Sequence, residues 1–248
     1  MNAPKAPSKL KVGIPLYPTF DSLDVLGPYQ VFTYAPNLDL HLVAADKCAV
    51  TSLEGVQILP EFTFASCPQL DVLLVPGAAD LIAPLQAGPL GKNPFFDFLA
   101  MQAKDAKLVC TVCTGALIAG AAGLLDGHLV TTHWAHLETL ALFPCTVATG
   151  YPRYVKSGNR ISSGGISSGI DAALFTVAHL FGEEAAMDCQ LKMQYRPQPP
   201  VHAGDPTDSD ISTHPGLPDR VRSDWHVNDV REAYLQWLSG RSDRPRYF

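Results

Sequence analysis

The chain has 248 residues, 18 of them Lys or Arg and 24 Asp or Glu, for a formal charge of −6. That balance leaves no basic excess to grip phosphate, so nucleic acid is not an expected partner. With 47% hydrophobic and 17% charged residues the composition suits a packed core, and the longest nearly apolar run, Ala116 to Leu125, is too short to span a membrane.

Residues 1–9 read as a loose tail without the apolar stretch of a secretory leader, which sets the expectation of a cytoplasmic protein. Lys9 to Leu16 is an apolar strand, ended by a turn at Pro18–Phe20, and Val25 to Tyr34 has helical spacing. Leu38 to Ala44 is a second strand and Val56 to Leu59 a short one. Leu70 to Val75 is a buried strand closed by Pro76-Gly77. Phe95 to Ala103 then makes a helix, and Leu108 to Val112 another buried strand. Nearly all-apolar strands alternating with helices predict an α/β fold. In it, one mostly parallel sheet is covered by helices on both faces, as in flavodoxin-like domains.

Beyond Gly115 the small residues continue as a close-packed helix, and Trp134 to Phe143 has helical character. Tyr154–Lys156 and Arg160–Ser162 flank Ser157-Gly158-Asn159, a hairpin signal. Ile170, Ala173, Leu174, Val177 and Phe181 keep a 3.6-residue period, and Glu183 to Tyr195 makes one more helix. The domain therefore covers residues 10–195. Arg196 to Pro218 reads as a proline-rich extended arm. It leads to a last helix, capped by Asp224 or Asn228, whose stripe of Val227, Val230, Tyr234, Trp237 and Leu238 must pack on the domain or on a partner subunit.

Cys110 and Cys113 have the spacing of a redox pair. On a strand they lie about 10 Å apart and face opposite ways, which a disulfide does not tolerate. Free thiols are expected, and no Cys-His cluster at ligand spacing supports a metal. Leu108 to Ala116 is the most informative segment. A β-branched strand runs into Cys113 and then directly into a helix, a tight elbow that presents one side chain at the carboxyl end of the sheet. Cys113 there is either a nucleophile or a buried structural cysteine. As a nucleophile it is expected to be ionised by the helix start, with the Thr114 and Gly115 amides free to bind an anion.

Asp24, set among Leu23, Val25 and Leu26, reads either as a helix cap or as an acid whose pKa rises beside the thiol. The Gly77 and Ala78 amides end a strand and border the expected ligand crevice. His133 is a candidate partner for the thiol or simply a packed ring. The glycine-rich segment around Ile166 allows close approach of backbone to the elbow.

Taken together, Leu23-Asp24-Val25-Leu26-Gly27-Pro28, Val75-Pro76-Gly77 and Val112-Cys113-Thr114-Gly115 resemble the ThiJ/PfpI superfamily. So do Gly123-Leu124-Leu125-Asp126-Gly127, Thr131-Thr132-His133-Trp134 and Gly164-Gly165-Ile166-Ser167-Ser168-Gly169-Ile170-Asp171. Its fold is that of class I glutamine amidotransferase domains, and the similarity covers about Leu10 to Pro206. Asp24 with Cys-Thr-Gly is similar to the isocyanide hydratase branch; other branches usually carry Glu at that position and often His after the nucleophile. The resemblance implies Cys113 as nucleophile, Asp24 as acid and base and Thr114 as a hydrogen-bonding neighbour. Gly77, Ala78, Gly115, His133 and Ile166 would then stand around a small-molecule substrate. It further implies a lyase that turns an isocyanide into an N-substituted formamide through a thioimidate, without cofactor or metal, in a homodimer. A glyoxalase-like activity on reactive carbonyls and a cysteine-based redox sensor are the alternatives.

Overall fold

In a computed structural model, which describes residues 9–87 and 92–240, seven strands form the central sheet. They are β1 (Leu10–Pro15), β2 (Leu38–Ala44), β3 (Phe62–Thr63), β4 (Val72–Val75), β5 (Leu108–Thr111), β6 (Tyr154–Ser157) and β7 (Arg160–Ser163). Their order is β6-β7-β5-β4-β1-β2-β3, with every neighbouring pair parallel except the β6–β7 hairpin. The fold is thus a single α/β domain of flavodoxin-like type, as expected. Of the tail expected at residues 1–9, residues 1–8 lie outside the described residues.

Strand alternation sends neighbouring side chains to opposite layers. Leu73, Val75 and Val109 pack with Phe96, Leu99 and Leu117, from the helices α2 (Pro94–Asp105) and α3 (Gly115–Ala121). Val72, Leu74 and Cys110 pack on the other face. There they meet Val25 and Phe32 of α1 (Ser22–Tyr34), Val177 of α4 (Ser168–Phe181) and Cys189 of α5 (Glu183–Lys192). Cys110 is therefore held in the α1/α4 layer, and all six cysteines are free thiols.

Several local expectations need correction. Val56–Leu59 contributes only Gln57–Ile58, which pairs antiparallel with Val50–Thr51 in a separate ribbon. Trp134 to Phe143 is a 3₁₀ turn at Trp134–His136 followed by one helical turn, Leu137–Leu140. The arm is not extended throughout: it has a 3₁₀ turn at Ser209–Thr213 and a helix, α6 (Leu217–Asp224). The last helix, α7 (Val227–Ser239), starts at His226 in a left-handed conformation (φ 47°), with neither Asp224 nor Asn228 capping it.

Val227, Val230 and Tyr234 of α7 are buried in this same chain. Tyr234 meets Phe143 edge-on at 5.7 Å, and Trp237 lies 6.2 Å from Phe96. The apolar stripe thus belongs to the α2/α3 layer and is not an open face for a second subunit. Among the described residues no helix is long and apolar enough to cross a membrane.

Candidate active site

The order β2-β1-β4 places a topological switch point between β1 and β4, where ligand crevices form beyond the carboxyl ends of strands. Three segments converge there. One is the elbow after β5, where Cys113 adopts φ 55°, a left-handed conformation unusual for a residue with a Cβ. Such strain runs to about 1–3 kcal/mol and persists only where surrounding bonds fix it. Here Val112 N–H donates to Val75 O at 3.0 Å and Cys113 N–H to Gly164 O at 2.9 Å. The Thr132 hydroxyl donates to Cys113 O at 2.8 Å. The backbone is clamped on both sides of the sulfur.

The second segment is the start of α1. Asp21, not Asp24, is the cap: its carboxylate accepts from Leu23 N at 3.0 Å and Asp24 N at 3.4 Å. The third is the Pro76–Ala78 loop after β4, held by the Tyr17 hydroxyl, which donates to Pro76 O, and by Asp21 N–H, which donates to Gly77 O at 2.9 Å. In return Gly77 N–H donates to Asp24 Oδ2 at 2.8 Å. Asp24 is fully buried, and among the described residues its other oxygen has no hydrogen bond of ordinary geometry. The Cys113 thiol is the side chain close enough to stabilise that carboxylate.

Several expected ligand-binding amides are engaged within the protein. Gly77 N–H holds Asp24, and Ala78 N–H donates to Thr114 Oγ1 at 3.2 Å. Gly115 N–H donates to Val112 O at 2.9 Å, which corrects the expectation that it is free for an anion. Thr114 is buried with its hydroxyl on Ala78, so it ties the elbow to the Asp24 loop. A Cβ on Gly77 would stand 2.5 Å from Thr114 Oγ1 and 2.7 Å from Asp24 Oδ2, which puts that glycine between the two side chains. Ile166 stands as expected against the elbow: its N–H and that of Thr114 are hydrogen-bond donors to the Cys113 sulfur.

Cys113 and Thr114 border a cavity of about 490 Å³. Leu81, Ile82, His136, Trp225 and Val230 form part of its wall, so α7 and the residue before its cap close one side. His133 is not in this cavity. Its ring stacks on Trp225 at 4.2 Å, with planes 11° apart, and lines a separate cavity of about 440 Å³ with Ile166 and Arg153. His133 thus has Trp225 as its stacking partner and borders a different cavity from the one that Cys113 and Thr114 border. Sequence reasoning missed His136 and Trp225. His136 follows His133 by one helical turn, a spacing that could have drawn attention, whereas nothing local marks Trp225.

Burial pushes the Asp24 carboxyl well above its usual range, and the nearby Asp21 charge adds to this; the Gly77 bond pulls the other way. Burial and the Asp24 charge likewise raise the Cys113 thiol well above its usual value, against the two amide donors. This corrects the expectation of a standing thiolate. Asp24 and Cys113 are direct neighbours, so the sulfur can ionise by passing its proton to the carboxylate. Burial also lowers His133 to about 3 and His136 to about 4, so both rings are neutral near pH 7.

Known proteins share this fold. Residues 10–179 match the DJ-1/PfpI family. The isonitrile hydratase of Pseudomonas putida is 42% identical over 201 residues, which cover 79% of this chain and 83% of that protein. The HTH-type transcriptional regulator GbdR of Pseudomonas aeruginosa is 29% identical over 145 residues, 58% of this chain but only 36% of the regulator. Among solved structures, a ThiJ/PfpI family protein from Pseudomonas syringae superposes with a TM-score of 0.79 at 31% identity, over 94% of this chain and 92% of that one. With its sheet order, its cysteine elbow and these likenesses in agreement, the chain belongs to the DJ-1/PfpI family.

Proposed function

We propose that the protein is an enzyme that hydrates an isocyanide, R–N≡C, to the N-substituted formamide, with Cys113 as nucleophile. One observation carries the reading: a fully buried Asp24, pinned by Gly77 N–H, bears on the Cys113 thiol at the mouth of a largely apolar cavity. The similarity to isonitrile hydratase supports the substrate class.

As sulfur bonds to the terminal isocyanide carbon, the thiol proton passes to Asp24. Asp24 then gives it to that carbon, leaving R–N=CH–S–Cys113 and an ionised carboxylate. Asp24 next takes a proton from water as the water oxygen adds to the same carbon, and the nitrogen receives that proton. Collapse of R–NH–CH(OH)–S–Cys113 breaks the C–S bond. The hydroxyl proton returns through Asp24 to sulfur, and R–NH–CHO leaves. The Ile166 and Thr114 amides stabilise the sulfur while it carries charge, both on attack and on departure.

Purified protein should convert an aryl isocyanide to its formamide, followed by chromatography, and mass spectrometry of quenched samples should find the adduct on Cys113. The Cys113→Ala variant should form none. Formamide production by that variant at the wild-type rate would overturn the proposal.

A further inference from the structure

His136 has no role in the reaction as written, yet it is the least comfortable side chain in the cavity wall. It is fully buried, and among the described residues neither Nδ1 nor Nε2 has a hydrogen-bond partner. Burying an imidazole with both nitrogens unpaired is unfavourable, and native proteins rarely do so without a reason. Its backbone is fixed, with its N–H donating to His133 O at 2.9 Å, and the Trp225 ring stands 5.9 Å away. The ring is therefore held against the chamber that Cys113 also borders, among Leu81, Ile82 and Val230.

We infer that His136 is the hydrogen-bond donor to the nitrogen of the molecule bound to Cys113. The inference rests on the isocyanide reading and deepens it. An isocyanide nitrogen has no free lone pair, because its electrons are committed to the triple bond. When sulfur adds to carbon, that nitrogen gains a lone pair in the plane of the thioimidate. A donor placed there makes no bond to the free substrate and a good one to the adduct and to the transition state leading to it. Such a contact lowers the barrier rather than tightening ground-state binding. Burial keeps the ring neutral down to about pH 4, so one nitrogen carries a proton and the other is bare. The bare nitrogen can accept from the hydroxyl of the tetrahedral adduct.

The test compares wild type with His136→Leu, His136→Asn and His136→Gln, using an aryl isocyanide, steady-state kinetics, single-turnover adduct formation on Cys113 and thermal melts. His136→Leu should lower kcat about tenfold to a hundredfold, the loss of one hydrogen bond in the transition state. KM should change little. Its melting temperature should equal or exceed that of wild type, because an apolar side chain replaces an unpaired polar one. One of the two amide variants should recover part of kcat, Asn if Nδ1 is the donor and Gln if Nε2 is. Wild-type kcat in His136→Leu overturns the role. So does an equal loss in all three variants accompanied by lower melting temperatures, which marks a structural residue. Wild type that neither consumes the isocyanide nor forms the adduct overturns the reaction itself, and this role with it.

Discussion

Asp24 shows how a single residue can be set against the stability of its own fold. Its folded-state pKa lies well above the ordinary 3.8, chiefly through burial. Between those two values the native state keeps a proton that the unfolded chain releases. The associated stability is complete below about pH 3.8 and is lost as pH rises, at about 1.4 kcal/mol per pH unit until the folded value is passed. In Asp24→Asn the amide oxygen can still accept from Gly77 N–H, and no charge forms. The variant should be catalytically dead yet more stable than wild type at neutral pH, by a margin that widens upward from about pH 4. Thermal melts across that range check it, and a variant that melts below wild type at pH 7 contradicts it. Cys113 and Thr114 were marked out in the sequence by a motif at the end of β5, whereas Asp24 taken alone reads as a helix cap and only the likeness of Leu23-Asp24-Val25-Leu26-Gly27-Pro28 to the family singled it out. Their electrostatics were not legible, because a raised thiol follows from burial and from a carboxylate 89 positions away in the chain.

Among the elements, the junction of β5 with α3 leaves the least room. A Cβ on Gly115 would come within 2.2 Å of Val75 O and 2.7 Å of Pro76 O, both backbone atoms that cannot swing aside. Gly115→Ala should therefore destabilise the protein by about 1–3 kcal/mol, the usual penalty for forcing extra volume into a packed interior. It should also disturb Cys113, which denaturant titration and alkylation rates would show together; unchanged stability would refute the close contact. The long strands around this junction were readable because a sheet covered on both faces requires unbroken apolar runs, as in Leu70–Val75 and Leu108–Val112. Phe62–Thr63 was not, since two residues pairing with the end of β2 carry no period. Nor was α6, whose Leu-Pro-Asp-Arg start has the composition of the proline-rich stretch before it.

At the scale of the molecule, the C-terminal helix is a structural member of the domain. Tyr234 is fully buried between Phe143 and Trp237, and Tyr234→Ala should cost about 3–5 kcal/mol, as large-to-small changes of buried aromatics do. The same variant should loosen the wall formed by Trp225 and Val230 and speed alkylation of Cys113. A melting temperature within a degree or two of wild type would show that α7 docks without it. The sequence foresaw that this helix must pack on something; the choice between its own domain and a partner depended on a hollow between Phe96 and Phe143 that no local pattern reveals. Because ribosomes build proteins from the amino end, the segment enclosing one flank of the chamber is made after every strand of the sheet. A nascent chain can thus form the Cys113 elbow while the compartment around it still stands open, and the chamber gains that flank only when α7 docks.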